Sequence, residues 1–182
     1  MLCWPSVVPA QRFSWIALRS IFAKVKFVLM TDVAAPDAVI KAVPFARTLN
    51  LIVIEVGTDD DGVFRAVVEL PDDPSFHNHV GGPHAGAQFA LGETASGAIV
   101  LAAFAHQLTR AVPLAVRADI AYRKLAMGTI RASARLDRAV DEVVAELDAG
   151  GRPEFGVQVE ISTLDATPTA QMTVIWTLRP HR

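Results

Sequence analysis

The 182-residue sequence contains a single cysteine, Cys3, so no internal disulfide can stabilise the fold. This composition fits a reducing compartment, and we expect a cytoplasmic protein. The cysteine and the five histidines also lack the spacing of structural zinc ligands, so we predict no metal site.

Charge is scarce as well, with 20% charged residues and a formal net charge of -2. This balance gives no sign of a nucleic-acid partner, and a hydrophobic content of 52% argues against disorder. No uninterrupted apolar stretch reaches ~18 residues, so we expect no integral membrane span. The serine-hydrolase, P-loop and dinucleotide fingerprints are missing, and we predict no cofactor.

The first 29 residues contain no acidic side chain, and their basic residues are interleaved with aromatic and aliphatic ones. Three of these bases would share one helical stripe at seven-residue spacing, namely Arg12, Arg19 and Lys26. Three interpretations stay open: a helix at a membrane surface, a docking helix, or an extension upstream of a natural start at Met30. We assign residues 1–29 to an N-terminal extension and residues 30–182 to one folded domain.

Beyond residue 30, the hydrophobic pattern predicts an α+β domain. Alternating apolar and polar residues indicate five or six strands, at 49–56, 63–70, 116–123, 129–136, 157–161 and 170–178. Helical periodicity indicates helices at 36–47, 84–106 and 140–147. Pro44, inside the first helix, is expected to bend or end it. The strands at 116–123 and 129–136, with a turn near Gly128 between them, are expected to pair.

The helix predicted at 84–106 is apolar on nearly all sides, so every side must be covered. The few polar residues within it weaken a membrane interpretation, and the strands can supply the cover. We therefore predict a curved antiparallel sheet wrapped around this one long helix. Three glycines in the helix, Gly86, Gly92 and Gly97, fit a close approach of the sheet to its backbone.

Glu93 is the only formally charged side chain among residues 85–109. Burying a carboxylate is costly, so its pKa should rise or a partner should neutralise it. Residues of this kind are candidates for a functional site, and the less favoured alternative is a Glu that reaches a solvent edge or caps a neighbouring loop.

The start of the same helix is the second candidate region. The N–H groups of Ala85 and Gly86, after His84, lie at the positive end of the helix dipole and can stabilise an oxyanion. Ala85 and Glu93 are eight residues apart, which is ~12 Å along a helix, so they cannot reach one carbonyl carbon. A two-fold homodimer would bring the start of one helix to the middle of another.

One segment resembles the signature of hotdog-fold acyl-CoA thioesterases of the phenylacetic-acid-degradation type, and of a related uncharacterised hotdog group. The motif reads Asn78-x5-His84-x-Gly86-x2-Phe89-x-Leu91-x-Glu93-Thr94-Ala95. The likeness continues through Ile120-Ala121-Tyr122 to Gly128 and covers most of residues 45–178. The resemblance implies a hotdog fold, an acyl-CoA-type substrate and a homodimer or homotetramer.

The resemblance also implies a role for each site residue. Glu93 acts as the general base or nucleophile on the thioester, across the dimer. The N–H group that follows His84, at Ala85 with Gly86, polarises the carbonyl, and His84 orients the helix start. Asn78 positions the carbonyl or the attacking water.

Two positions depart from the family pattern. Ala85 stands where the family usually has glycine, and Ala111 where several thioesterases have Ser or Thr. Two alternatives therefore stay open. A hotdog (de)hydratase would pair His79 with Glu93 at a fourteen-residue spacing, although Ala85-Gly86 replaces the expected Pro-Gly pair. A non-catalytic protein would bind an acyl ligand in the same pocket.

Residues 110–138 contain seven basic side chains and two acidic ones. The alternation places Arg117, Arg123, Arg131 and Arg135 on the polar faces of two strands. Guanidinium groups suit the phosphates of coenzyme A, so Arg117, Arg123 and Arg131 are candidate phosphate contacts. A solvated sheet face explains the same pattern.

Overall fold

The computed structural model describes residues 43–181, and predictions that concern residues 1–42 lie outside this range. The described elements, in chain order, are α1 (Pro44–Thr48), β1 (Ile52–Thr58), β2 (Phe64–Leu70), α2 (Ala85–Ala103), β3 (Ala111–Tyr122), β4 (Ile130–Leu136), α3 (Val140–Asp148), β5 (Glu154–Thr163) and β6 (Pro168–Pro180). Short 3-10 turns precede and follow α2, at Pro74–Phe76 and Ala105–Gln107. The predicted α+β class is confirmed.

The six strands form one antiparallel sheet in the order β1-β2-β4-β5-β6-β3. The sheet packs against α2, which contacts all six strands. On α2 the fully buried residues point in several directions, namely Leu91, Ala95, Ala98, Ile99 and Val100. The prediction of a curved sheet around one long apolar helix is therefore confirmed.

The glycines of α2 permit a close approach of the sheet. A Cβ on Gly92 would lie 2.6 Å from the Met172 sulfur on β6, so the Met172 side chain would have to shift. A Cβ on Gly97 would lie 3.7 Å from the Trp176 ring, which is ordinary contact. Gly92 thus lets Met172 pack closely on the helix, whereas Gly97 leaves space beside it.

The predicted pairing of the strands around Gly128 is wrong. β3 pairs with β6, and β4 pairs with β2 and β5, so two strands separate β3 from β4. The seven residues between them, 123–129, can span ~23 Å when extended, and three strand spacings amount to only ~14 Å. Gly128 does adopt a left-handed turn conformation, with φ of 69°, but within a crossing connection.

Two local predictions concern the start of the described chain. Pro44 occupies the first turn of α1 after an extended Val43, so the predicted helix does not run through Pro44, and its residues 36–42 lie outside the described range. Leu49 and Leu51 are buried, yet the strand begins only at Ile52, because Asn50 has a positive φ of 53°. Leu49 and Leu51 therefore pack into the core from a turn and not from a strand.

β1 and β3 are the two edge strands, and each contains one bulged residue with an exposed apolar side chain. Ile54 is bulged on β1 and Val116 on β3, with 47% and 48% exposure. Pro113 lies within β3, which fits an edge strand because proline cannot donate to a neighbour. Four aromatic side chains differ in exposure: Phe104 and Trp176 are buried, whereas Phe89 and Tyr122 are exposed.

Candidate active site

His84 is the N-cap of α2. Its Nδ1 accepts a hydrogen bond from the Gly86 N–H at 3.0 Å, so one of the unpaired donors at the helix start is used. The His84 N–H donates to the Phe76 carbonyl at 2.8 Å, which fixes the preceding loop against the helix start. Geometry therefore supports an orienting role for His84.

Asn78 shapes the loop that leads into α2. Its Oδ1 accepts from the N–H groups of Val80 and Gly82, at 3.0 and 3.3 Å, and its Nδ2 lies 3.4 Å from the Pro83 carbonyl. A Cβ on Gly82 would lie 2.2 Å from the Ala126 carbonyl, so this turn requires glycine. In a single chain Asn78 is thus engaged in loop geometry, next to the helix start.

Ala85 offers the free donor of the pair predicted from the sequence. Within residues 43–181 its N–H has no acceptor, whereas the Gly86 N–H is occupied by His84. The carbonyl of Ala85 accepts from the Tyr122 hydroxyl at 2.8 Å, which ties the end of β3 to the helix start. His84, Ala85 and Gly86 are all exposed. A solvent-facing N–H at a helix N-terminus is suited to an anionic oxygen.

Glu93 lies in the middle of α2 and is half-buried. Burial raises the pKa of its carboxyl above the ordinary glutamate value. In the described part of the chain no side chain forms a hydrogen bond or ion pair with this carboxyl. An acid that is desolvated and unpaired is a strong proton acceptor once it ionises.

The Glu93 carboxyl borders a cavity of about 190 Å³. The other lining residues are mostly apolar: Val43, Thr94, Gly97, Val100, Leu101, Pro113 and Trp176. This cavity, called the Glu93 cavity below, lies between α2 and the β3–β6 edge of the sheet.

A hydrogen-bonded link holds one wall of the Glu93 cavity in place. Trp176 Nε1 donates to Ser96 Oγ at 3.1 Å, and Ser96 Oγ donates to the Glu93 carbonyl at 2.7 Å. The sequence did not reveal this link, because neither Ser96 nor Trp176 has a motif that would place them together. An indole and a hydroxyl in otherwise apolar segments were the available signal, since buried polar groups need partners.

A single chain does not bring the two halves of the candidate site together. Ala85 and Glu93 belong to one helix, so their backbones are ~12 Å apart along its axis. His79, the acid-base candidate of the hydratase alternative, is exposed in the loop before α2 and does not line the Glu93 cavity. Asn78, His84 and Ala85 therefore form one group, and Glu93 stands apart from it.

The three candidate coenzyme A arginines are also not brought together. Arg131, on β4, binds Glu69 at 2.8 Å, and Arg117, on β3, lies 3.3 Å from Asp119. Arg123 follows Tyr122 directly, so it is the arginine that the chain ties to the helix start. It lines an outer concavity of the sheet together with Arg65 and Arg135.

Two further features concern residues 43–181 only. These residues contain no cluster of three or more His, Cys, Asp or Glu side chains that could hold a metal ion. None of their helices combines the length and apolarity needed to cross a membrane.

Solved structures with the same architecture are found in several bacteria. The chain is similar to a Pseudomonas aeruginosa protein described as a protein of unknown function and probable thioesterase, with 23% identity and a TM-score of 0.70, covering 80% of this chain and 93% of that one. It is similar to the Escherichia coli PaaI protein of the phenylacetic acid degradation operon, with 17% identity and a TM-score of 0.57, covering 78% and 88%. It is also similar to a Staphylococcus aureus thioesterase, with 18% identity and a TM-score of 0.58, covering 76% and 100%.

These structural likenesses establish the fold. No functionally curated protein matches the sequence. Residues 33–178 match the family described as "Domain of unknown function (DUF4442)". Because this match spans most of the sequence, the chain belongs to the DUF4442 family, and it has the hotdog fold.

Proposed function

We propose that this protein hydrolyses an acyl-CoA or related thioester, with Glu93 as the general base or nucleophile. The observation that carries the proposal is a desolvated, unpaired carboxyl at the mouth of an apolar cavity. A raised pKa brings a carboxylate base closer to the working pH, where general base catalysis is most effective. The hydrolase names of the structural neighbours support the same reaction class.

The second half of the site would be the N–H of Ala85. It is unpaired within residues 43–181, exposed, and located at the positive end of a nineteen-residue helix. Such a donor stabilises the negative oxygen that develops on a thioester carbonyl. The His84–Gly86 hydrogen bond and the Tyr122–Ala85 hydrogen bond would hold this donor in position.

A two-fold dimer would unite the halves through the free edge of β3. The Pro113 end of β3 lines the Glu93 cavity, and the Tyr122 end is bonded to the helix start. Antiparallel pairing of β3 with its copy sets the beginning of one strand beside the end of the other. Each Glu93 would then face the helix start of the second subunit, giving two equivalent sites.

The proposed reaction needs only a proton shuttle and an oxyanion donor. The Glu93 carboxylate accepts a proton from water, whose oxygen attacks the thioester carbon. The Ala85 N–H of the second subunit stabilises the resulting oxyanion. When the carbon–sulfur bond breaks, the proton on Glu93 passes to the departing thiolate. In the nucleophilic version the Glu93 carboxylate attacks the thioester carbon, the carbon–sulfur bond breaks and the thiolate leaves. Water then cleaves the resulting anhydride, which restores the Glu93 carboxylate, releases the acyl group as an acid and supplies the proton that the thiolate takes up.

Arg123 is the favoured contact for a coenzyme A phosphate, because it follows the tyrosine that holds the helix start. No ion pair engages Arg123 within the described range, whereas Glu69 already binds Arg131. We further propose a cytoplasmic homodimer or homotetramer, since coenzyme A thioesters are intracellular substrates and the site needs two chains.

A panel of acyl-CoA thioesters of graded chain length, assayed by free-thiol release, tests the proposal. We expect Glu93→Ala to lower kcat/KM by at least about 1,000-fold if Glu93 activates water or attacks directly. Glu55→Gln, at an exposed carboxylate on edge strand β1, is the matched control and should keep full activity. Clean, folded wild-type protein that releases no thiol at any chain length would contradict hydrolysis and favour a binding protein.

A further inference from the structure

Hydrogen bonds hold one wall of the Glu93 cavity, the Trp176 ring, in place. Trp176 is 8% exposed, and its indole N–H is fixed by Ser96, which is fully buried. Because Ser96 also bonds to the Glu93 carbonyl, the indole is anchored to the helix turn that carries the acid. Because the ring is buried and its N–H is hydrogen-bonded, displacing the Trp176 side chain costs free energy.

Gly97 leaves the space into which an acyl group would fit. It lies one helical turn after Glu93 and lines the same cavity. A Cβ at this position would contact the Trp176 ring atoms Cζ2 and Cη2 at 3.7 Å. Because Gly97 has no side chain, a gap remains between the helix backbone and the indole, and one methyl group would fill part of this gap.

From these features we infer that Gly97 and Trp176 determine acyl selectivity, and that the substrate carries an apolar acyl group. The lining beyond Glu93 and Thr94 is apolar, so a polar or charged acyl terminus would be desolvated without a partner. This inference rests on the proposed thioesterase function, because it takes the Glu93 cavity as the acyl site.

Two substitutions should shift the selectivity in opposite directions. Gly97→Ala should lower kcat/KM for the longest accepted acyl group about tenfold or more, relative to the shortest one. Its melting temperature should stay equal or rise, because alanine favours helix over glycine and meets only ordinary contacts. Trp176→Phe, with three fewer ring atoms, should extend the accepted chain.

The matched control is Ile130→Val. Ile130 is fully buried on β4, which does not neighbour β6, and it does not line the Glu93 cavity. This variant should lose stability while keeping the wild-type ratio of kcat/KM values across the chain-length series. A ratio of this kind does not depend on the fraction of folded enzyme, so loss of fold cannot imitate a selectivity change.

Binding of non-hydrolysable thioether analogues of acyl-CoA, measured by calorimetry, separates this inference from the proposed function. Wild-type affinity should rise about fourfold per methylene, the ratio that ~0.8 kcal/mol corresponds to, and stop rising at a limiting chain length. Gly97→Ala should shorten that limit and Trp176→Phe should lengthen it. Thiol release that needs Glu93, with both limits unchanged, would overturn the selectivity inference alone. Absence of thiol release together with shifted limits would overturn hydrolysis alone.

Discussion

The start and the middle of α2 carry the two halves of the candidate site in opposite surroundings. At the start, His84, Ala85 and Gly86 are exposed, and hydrogen bonds from the loop and from Tyr122 fix the geometry. In the middle, Glu93 is half-buried beside apolar side chains, and no described side chain binds its carboxyl. Hydrogen bonds fix the helix start, whereas the Glu93 carboxyl has no described partner and burial raises its pKa.

This contrast explains why neither half is sufficient. A well-positioned N–H stabilises charge but transfers no proton, and an unpaired carboxyl accepts a proton but cannot polarise a carbonyl ~12 Å away. The same helix supplies both groups, so under the proposed mechanism two copies in two-fold symmetry would complete two sites. Separating the helix start from Glu93, and then altering each of them, should change activity or stability to different degrees.

Separating the subunits should have the largest effect. Val116→Lys places a charge on the bulge of edge strand β3, where lysine opposes strand pairing. We expect a monomer in analytical ultracentrifugation and a loss of thioester hydrolysis of more than about 1,000-fold, since each site loses its second half. Ile54→Lys, the equivalent bulged position on β1 with nearly equal exposure, is the control and should stay dimeric and active. An active Val116→Lys monomer would refute the shared site.

Removing the donor at the helix start should have the next largest effect. Ala85→Pro deletes one N–H at the first helical position, where proline is tolerated, and His84 already has the extended ψ of 143° that precedes proline. We expect kcat to fall about 100- to 1,000-fold in steady-state assays with little change in melting temperature. Ala85→Gly keeps the N–H and should remain active. Equal activity of the two variants would exclude this N–H as the oxyanion donor.

Neutralising the middle of the helix should stabilise the fold. Burial raises the pKa of Glu93 in the folded state, so folding is penalised as pH rises through the window between the unfolded and folded pKa values. Above that window the penalty is fully present, and Glu93→Gln should unfold at higher urea concentration than wild type. Below it the two proteins should be equally stable. A Glu93→Gln variant that is less stable than wild type at neutral pH would contradict unpaired burial.

Releasing the helix start from β3 should have the smallest effect. Tyr122→Phe removes the hydroxyl that donates to the Ala85 carbonyl, and an exposed hydrogen bond contributes about 0.5–1.5 kcal/mol. We expect a small decrease in urea midpoint and a few-fold decrease in kcat with unchanged KM. A larger change in KM than in kcat would show that Tyr122 binds substrate instead of positioning the donor.

The sequence predicted those parts of the fold that depend on local pattern. The apolar periodicity of α2 and the alternation in the strands identified the elements, and a helix without a polar face required a sheet around it. The pairing of β3 with β6 was missed, because alternation and a turn glycine are equally compatible with a hairpin and with a crossing connection. The start of α1 at Pro44 was not foreseen, because the pattern around a proline does not distinguish the first turn of a helix from its interior.

The candidate site shows the same division. Glu93 stands out in the sequence because a charge in an apolar helix is rare, and the helix start follows from the glycine and histidine spacing. The Trp176–Ser96 link, the Tyr122–Ala85 bond and the occupation of the Gly86 N–H depend on contacts between distant segments. No local spacing encodes such contacts, so only the folded chain reveals them.

Subunit complementation tests the central claim, that each site takes Glu93 from one chain and the Ala85 N–H from another. Glu93→Ala and Ala85→Pro proteins, each inactive alone, are dissociated, mixed in equal amounts and reassociated. Random exchange makes half of the dimers mixed, each with one intact site of two, so about one quarter of wild-type activity should return. Mixed dimers detected by native mass spectrometry, with no activity above that of the two parents, would contradict the account.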